Sequence, residues 1–171
     1  MKARPTPPAP EGPDYTALRR LSVKALKVKL EPGRELKIDL PSTLPKLALV
    51  RQAIRRFTKT CKLPSLIVDK IELAVDEAVA NAVEHAYPDR EDGLVQVKAW
   101  REPRRFSVSV RDYGKGYNAK PVSFAAIRKV MRNHLRRGMG RYLMRQCMDI
   151  VQYTTLPQQY NETFMVKRLP R

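Results

Sequence analysis

Alternating apolar and polar residues predict six β-strands in this chain. A Pro-Gly turn signal separates the first two alternating segments and a Glu-Pro pair separates the next two, which predicts two antiparallel hairpins. Two further segments near the C-terminus predict a pair of closing strands. The predicted strands are Val23–Leu30, Glu35–Leu40, Leu94–Trp100, Phe106–Val110, Ile150–Thr155 and Thr163–Lys167.

Apolar residues at helical spacing predict four helices between these strands. The first covers Leu47–Lys62. The second begins at Ser65 and ends before Pro88, because the residue before a proline disfavours helical geometry. Pro121–Arg137 has a weaker amphipathic pattern, and Arg141–Met148 predicts a last, short helix. Since helices and strand pairs are grouped in this way, we expect an α+β fold: a two-layer α/β sandwich with one mixed, mostly antiparallel sheet and helices on one face.

The first twenty residues differ from the rest of the chain. Five prolines fall in the first thirteen positions, with almost no apolar pattern, so residues 1–20 are predicted to be a disordered arm and residues 21–171 a single domain. No apolar run approaches eighteen residues and no secretory signal is present, which predicts a cytoplasmic protein without a membrane partner. Cys61 and Cys147 fall in apolar helical patterns, which favours reduced core thiols over a structural disulfide.

The charge balance is strongly basic. The chain has 34 Lys and Arg against 17 Asp and Glu, a formal charge of +17. Between Asp112 and Asp149 there is no acidic residue, although nine Lys and Arg lie there. Such a field favours polyanions or acidic protein surfaces as partners. A generally basic proteome or a need for solubility would explain the same composition.

Two polar residues interrupt the apolar pattern of the second predicted helix. Glu77 and Asn81 are four residues apart, so they lie on one helix face. The simplest interpretation is a solvated stripe on an amphipathic helix. The same pair would also suit a nucleoside triphosphate site, because an amide oxygen can ligate Mg²⁺ and a carboxylate one turn away can accept a proton.

Four of the seven glycines form two G-x-G pairs, in DYGKG (112–116) and GMG (138–140). An aspartate at a strand end can accept a hydrogen bond from an exocyclic amine, while the glycines after it let the backbone approach a flat ring. A G-x-G that opens a helix presents backbone N–H groups and the positive dipole end to phosphate. Each motif alone is more often a turn or a tight junction. Their order on helix, strand end and helix start favours a nucleotide site.

These motifs resemble the three ATP-binding boxes of the GHKL, or Bergerat-fold, ATPases. The matching segments are E-x-x-x-N-A-x-x-H-A (77–86), D-x-G-x-G (112–116) and G-x-G-x-x-L (138–143). Within that superfamily, EAVANAVEHAY, VRDYGKGY and RGMGRYLMRQCMDIVQY most resemble the anti-sigma factor serine/threonine kinases of bacterial partner-switching systems. The resemblance covers roughly residues 35–169 and identifies residues 21–171 as one ATP-binding kinase domain.

The resemblance implies a role for each matching residue. Asn81 would ligate Mg²⁺ and Glu77 would be the general base. Asp112 would bind the adenine amino group, and residues 117–137 would form a lid over the triphosphate. The remaining implied contacts are Gly114 and Gly116 beneath the adenine, Gly138, Met139 and Gly140 at the phosphates, Arg136 or Arg137 at the γ-phosphate, and Thr163 at the adenine.

Two residues depart from the family pattern. Glu162 stands where the family's N-G-T motif has glycine, which would disturb the turn and place a carboxylate near the adenine. Lys115 adds a charge inside the D-x-G-x-G box. Both put nucleotide affinity in doubt without affecting the expected fold.

Three functions are compatible with the sequence. The first is a kinase that uses ATP and Mg²⁺, sequesters a sigma factor and phosphorylates an anti-sigma factor antagonist; the resemblance also allows a homodimer. The second is an ATP-binding regulator of this fold that has lost kinase activity, against which Glu77 and Asn81 argue. The third is a basic nucleic-acid-binding module. The sequence has no recognisable DNA-recognition helix and no basic segment with aromatic residues that could stack on single-stranded bases. Only weak, non-specific nucleic-acid binding is therefore expected.

Overall fold

The computed structural model describes residues 27–43, 47–88, 91–115 and 139–170. Within these ranges the chain forms six strands and three helices. The strands are β1 (Lys27–Glu31), β2 (Glu35–Pro41), β3 (Leu94–Glu102), β4 (Arg105–Asp112), β5 (Ile150–Leu156) and β6 (Tyr160–Arg168), and the helices are α1 (Leu47–Thr60), α2 (Ser65–Ala86) and α3 (Gly140–Cys147). The strands build one sheet in the order β1-β2-β3-β4-β6-β5.

The predicted α+β sandwich is confirmed. Each predicted strand lies within or overlaps an observed strand, and all five strand pairs of the described sheet are antiparallel rather than mixed. The long connection between β2 and β3 contains α1 and α2. The predicted arm (1–20), the predicted helix 121–137 and the beginning of the first predicted strand lie outside the described residues.

The core lies between one face of the sheet and the helices. Because side chains alternate between the two faces of a strand, every second residue of β2, β3 and β4 points toward the helices. The register aligns Leu36 of β2 with Ala99 of β3, and Ala99 in turn with Val108 of β4. These three side chains are buried, together with Val75 and Val79 of α2. Burial of each large aliphatic side chain contributes about 1.5–3 kcal/mol, so α2 is firmly held on the centre of the sheet.

Ion pairs from Arg51 and Arg55 join α1 to α2 and restrict the rotation of α2. Arg55 binds Glu72 with two hydrogen bonds of 2.7 and 2.8 Å, and Arg51 lies 2.6 Å from Asp76. Glu72 is buried, so its bidentate pairing compensates the loss of hydration. Since successive residues of a helix point about 100° apart, a helix that turns Asp76 toward α1 turns Glu77 toward α3.

Both cysteines are buried and are free thiols, as the sequence predicted. Burial raises the pKa of the Cys61 and Cys147 thiols. A raised pKa reduces the thiolate fraction at neutral pH, which makes both side chains poor nucleophiles. In the described part of the chain, no helix is both long and apolar enough to cross a membrane.

Candidate nucleotide-binding site

A cavity of about 480 Å³ opens where α2, α3 and the ends of the central strands meet. Residues from five elements or their ends contribute to its wall. They are Asn81, Ala82, His85 and Ala86 from α2, Val110 and Asp112 from β4, Arg141 from α3, Tyr153, Thr154 and Thr155 from β5, and Asn161, Glu162 and Thr163 from β6. The structure thus brings Asn81, Asp112 and Thr163, predicted from separate motifs, to one cavity.

Asp112 lies at one end of the cavity as the last residue of β4 and is only 8% exposed. Its Oδ1 accepts hydrogen bonds from the Asn161 side-chain amide at 2.7 Å and from the Gly114 backbone N–H at 3.2 Å. The Asn161 amide also lies 3.4 Å from the Lys115 carbonyl oxygen. Two donors on one oxygen restrict the rotation of the carboxylate. Asn161 therefore belongs to the site, although the sequence analysis did not select it.

The turn after Asp112 rests on the C-terminal end of α2. The Lys115 N–H donates to the Ala86 carbonyl at 3.2 Å. The Tyr87 hydroxyl accepts from the Tyr113 N–H at 2.9 Å and donates to the Leu94 carbonyl at 2.8 Å. These bonds join the end of α2, the start of β3 and the Asp112 turn into one unit, so the position of Asp112 depends on α2.

Gly114 is expected to tolerate no side chain. A Cβ at this position would overlap the backbone carbonyl of Ala86, which cannot move without breaking the end of α2. We expect Gly114→Ala to lower the free energy of unfolding by about 1–3 kcal/mol, the usual cost of overpacking, and to weaken nucleotide binding by displacing Asp112. Urea denaturation measures the first effect. Lys115→Ala, at an exposed neighbouring position, is the control; equal stability of Gly114→Ala and the wild type would contradict the packing argument.

Glu77 and Asn81 lie beneath the start of α3. A Cβ on Gly140 would be 2.5 Å from Glu77 Oε2 and 3.4 Å from Asn81 Nδ2, so a side chain at this position would displace the flexible end of Glu77. The first described bond of α3 runs from the Leu143 N–H to the Met139 carbonyl at 2.9 Å. Backbone N–H groups at a helix start have no partner within the helix, which suits them to bind phosphate. The fold therefore brings the first motif and the start of α3 into contact.

The environment of Glu77 raises its pKa above the usual range of a glutamate. Burial is the largest cause, and the nearby Asp76 and Glu84 carboxylates add to it. A carboxylate with a raised pKa is a stronger base when ionised. Glu77 therefore has the chemistry of a proton acceptor and differs from the solvated residue of the simpler interpretation.

The residues near Gly140 fit Mg²⁺. In the described residues, no three His, Cys, Asp or Glu side chains cluster closely enough to hold a metal ion on their own. Asn81 and Glu77 do supply hard oxygen donors side by side. Mg²⁺ commonly takes one or two protein oxygens and completes its octahedron with phosphate oxygens and water. The donor set therefore fits an ion that arrives with a nucleotide.

The two departures from the family pattern have different structural outcomes. Glu162 contributes to the cavity wall, but its carboxylate accepts hydrogen bonds from Ser109 at 2.5 Å and from Arg111 at 2.8 Å. Its charge is therefore compensated by Arg111, and it sits within β6 without interrupting the strand. Lys115, the second departure, is exposed.

Several predicted site residues lie outside the described residues. They are Gly116, Arg136, Arg137, Gly138 and the predicted lid (117–137).

Arg141 and the wall formed by β5 were also not selected from the sequence. The guanidinium carbon of Arg141 lies 4.5 Å from the centre of the Tyr153 ring. Tyr153 is opposite Thr163 in the β5–β6 register, which places it on the cavity side of the sheet. In the sequence, Arg141 was only one of nine cations in a basic segment, and nothing paired it with a tyrosine twelve residues later.

Comparison with known proteins gives consistent matches. The family model "Histidine kinase-like ATPase domain" matches residues 40–167. The anti-sigma F factor of Clostridium novyi (strain NT) is 25% identical over 137 residues, which cover 80% of this chain and 96% of that protein. The anti-sigma F factor of Pasteuria penetrans is 32% identical over 100 residues, or 58% of this chain and 67% of that protein.

A solved structure has a similar fold. It contains the RsbU and RsbW domains of a Mycobacterium tuberculosis protein, Rv1364c, and superposes with a TM-score of 0.58 at 20% sequence identity. The match covers 80% of this chain and 32% of that one, so this chain spans about a third of the longer protein. At that identity the similarity concerns the fold.

Proposed function

Since this chain belongs to the histidine kinase-like ATPase domain family, we propose that it binds ATP with Mg²⁺ and acts as a serine/threonine protein kinase. Its partners in this proposal are a sigma factor, which it sequesters, and an antagonist protein, which it phosphorylates. The similarity to anti-sigma F factors supports both partners. A soluble, cytoplasmic location fits this role.

One observation carries the proposal: Asn81 and Asp112 line the same cavity. Asp112 is oriented by Asn161 and Gly114 at one end, and Asn81 lies with Glu77 under the first turn of α3 at the other. The volume of about 480 Å³ is within the range of small-molecule sites, about 300–1,000 Å³. A base acceptor, a helix start and hard oxygen donors are together what a purine nucleotide with a divalent cation requires.

Each residue has a defined part in the proposed reaction. Glu77 accepts the proton of a serine or threonine hydroxyl as that oxygen attacks the γ-phosphorus and the bond to ADP breaks. Asn81 holds Mg²⁺, which neutralises charge on the phosphates when bound. Asp112 and Thr163 bind the adenine, with Gly114 and Gly116 beneath it. The α3 start, with Gly138, Met139 and Gly140, binds phosphate, and Arg136 or Arg137 is the proposed γ-phosphate contact.

The kinase proposal is tested by combining partner capture with phosphate transfer. The full chain is immobilised and exposed to extract of its native host with and without ATP, and bound proteins are identified by mass spectrometry. We expect a sigma factor in the bound fraction and a small antagonist phosphorylated on serine or threonine when ATP is present. If a sigma factor is captured but no label passes from [γ-³²P]ATP to any protein, the chain is a nucleotide-binding regulator without kinase activity.

The charge of +17 leads to a prediction that separates a protein partner from DNA. Each neutralised DNA phosphate releases a counterion, so DNA affinity falls steeply with salt. We expect weak binding to labelled duplexes at low salt, equal for two unrelated sequences and lost near about 0.15 M salt, where the Debye length is about 8 Å. Fluorescence anisotropy across a salt series measures this. Nanomolar, sequence-selective binding at that salt concentration would favour the nucleic-acid module instead.

A further inference from the structure

Arg141 lines the cavity at the start of α3. It follows Gly140, the residue that lies against Glu77 and Asn81, and belongs to the first turn of α3. It lines the cavity together with Asp112 at the opposite end. A nucleotide whose base reaches Asp112 and whose phosphates reach the start of α3 passes this side chain.

Tyr153 packs against the Arg141 guanidinium. The guanidinium carbon lies 4.5 Å from the ring centre, within the distance of a cation–π interaction. The ring itself is fixed in β5, which pairs with β6 at Thr163. Stacking engages the flat face of a guanidinium, whereas its N–H donors lie in the plane and project from the edge. A tyrosine that packs on the guanidinium in this way limits the positions of Arg141 within the cavity.

The charge of Arg141 distinguishes it within the cavity. It is the only lysine or arginine that the described residues contribute to the wall. A half-buried, permanently charged guanidinium favours an anionic ligand, and a planar fork of N–H donors fits phosphate oxygens.

We propose that Arg141, supported by Tyr153, binds a phosphate of the nucleotide and thereby selects nucleotides over nucleosides. The inference rests on the proposed ATP site and adds a residue of this chain to it. If instead Arg141 only held β5 against α3, its removal would lower the stability of the fold and the affinity for all ligands by similar factors. Selectivity for phosphate therefore separates the two roles.

The experiment compares Arg141→Met with Arg145→Met by calorimetric titration of Mg·ATP, Mg·ADP and adenosine. Arg145 is exposed and lies one turn further along the same helix, so Arg145→Met removes the same charge outside the cavity. We expect Arg141→Met to bind ATP and ADP about tenfold or more weakly and adenosine unchanged, since a charge-assisted hydrogen bond is lost. Arg145→Met should match the wild type for all three ligands.

Other outcomes overturn the inference in distinguishable ways. If Arg141→Met binds ATP with wild-type affinity, or loses equal affinity for adenosine and ATP, Arg141 has only a structural role. Neither result contradicts the proposed ATP site. A wild-type protein that binds neither ATP nor ADP refutes the proposed function and this inference together. Circular dichroism checks the folding of each variant. If Arg141→Met is unfolded, Arg141→Lys replaces it: a smaller loss confined to ATP and ADP supports the inference, and no loss overturns it.

Discussion

Glu77→Gln is expected to bind ATP and ADP with wild-type affinity while phosphoryl transfer falls by about two to four orders of magnitude. Glutamine keeps the shape of the side chain under Gly140 but cannot accept a proton, and general-base catalysis contributes about 10²–10⁴-fold to rate. Calorimetry measures binding, and transfer from [γ-³²P]ATP to the antagonist measures turnover. Glu91→Gln, at an exposed position outside the cavity, is the control.

The raised pKa of Glu77 gives this prediction a pH signature. A general base works only when ionised, so transfer should decline as the pH falls through the pKa of Glu77. Because burial and the neighbouring carboxylates raise that pKa, the decline should begin at a higher pH than an ordinary glutamate would give. Unchanged turnover in Glu77→Gln would return this residue to the solvated stripe that its spacing alone suggests.

Asp112→Ala is expected to lose most of the affinity for ATP. The carboxylate is buried and oriented by Asn161, and removing an acceptor from a buried polar contact costs about 1–3 kcal/mol, or roughly tenfold or more in affinity. Asp112→Asn should show a similar loss, since its one carbonyl oxygen can keep the bonds from Asn161 and Gly114 but the second carboxylate oxygen, which would accept the adenine amine, is replaced by an NH₂ donor. Calorimetric titration with Mg·ATP measures the effect.

Stability must be separated from recognition in this variant. Asp112 also accepts a bond from the Gly114 N–H, so its removal loosens the turn on α2. Thermal denaturation of each variant identifies that contribution. Asp69→Asn, on the exposed face of α2, is the matched control and should keep wild-type affinity. Undiminished ATP binding by a folded Asp112→Ala would mean that the base is recognised elsewhere.

Local patterns accounted for most of the fold. The hairpins of β1–β2 and β3–β4 were predictable because short turns join strands that are adjacent in the sequence. The insertion of β6 between β4 and β5 was not, since the β4–β6 pair joins residues such as Asp112 and Asn161, which are 49 positions apart. The alternation of apolar and polar residues shows which face of a strand is buried, but it does not show which other strand lies beside it.

In the candidate site too, the residues in local motifs were predictable from the sequence and the long-range contacts were not. Glu77, Asn81, Asp112 and Gly140 fall in short motifs with fixed spacing. The structure places Asn81 and Asp112 in the wall of one cavity, and Glu77 and Gly140 next to Asn81. Their proposed roles remain predictions. The supporting contacts have no such signal. Asn161 begins the segment that matches the family's N-G-T motif, but its contact with Asp112, like that of Tyr153 with Arg141, is recognisable only when β5 and β6 are seen beside β4.

The position of β5 at the border of the sheet bears on how a ligand reaches the cavity. Among the described strands β5 pairs only with β6, so one row of its backbone groups makes no ladder contact with the described sheet. The free energy needed to detach an edge strand is lower than that for a central strand, because an edge strand is hydrogen-bonded to one neighbour and a central strand to two. Tyr153, Thr154 and Thr155 therefore lie in an edge strand of the described sheet, whereas Asp112 lies in a strand with a neighbour on each side. The two walls of the cavity thus differ in support: backbone hydrogen bonds from two neighbouring strands hold the Asp112 wall, and those from one described strand hold the Tyr153 wall.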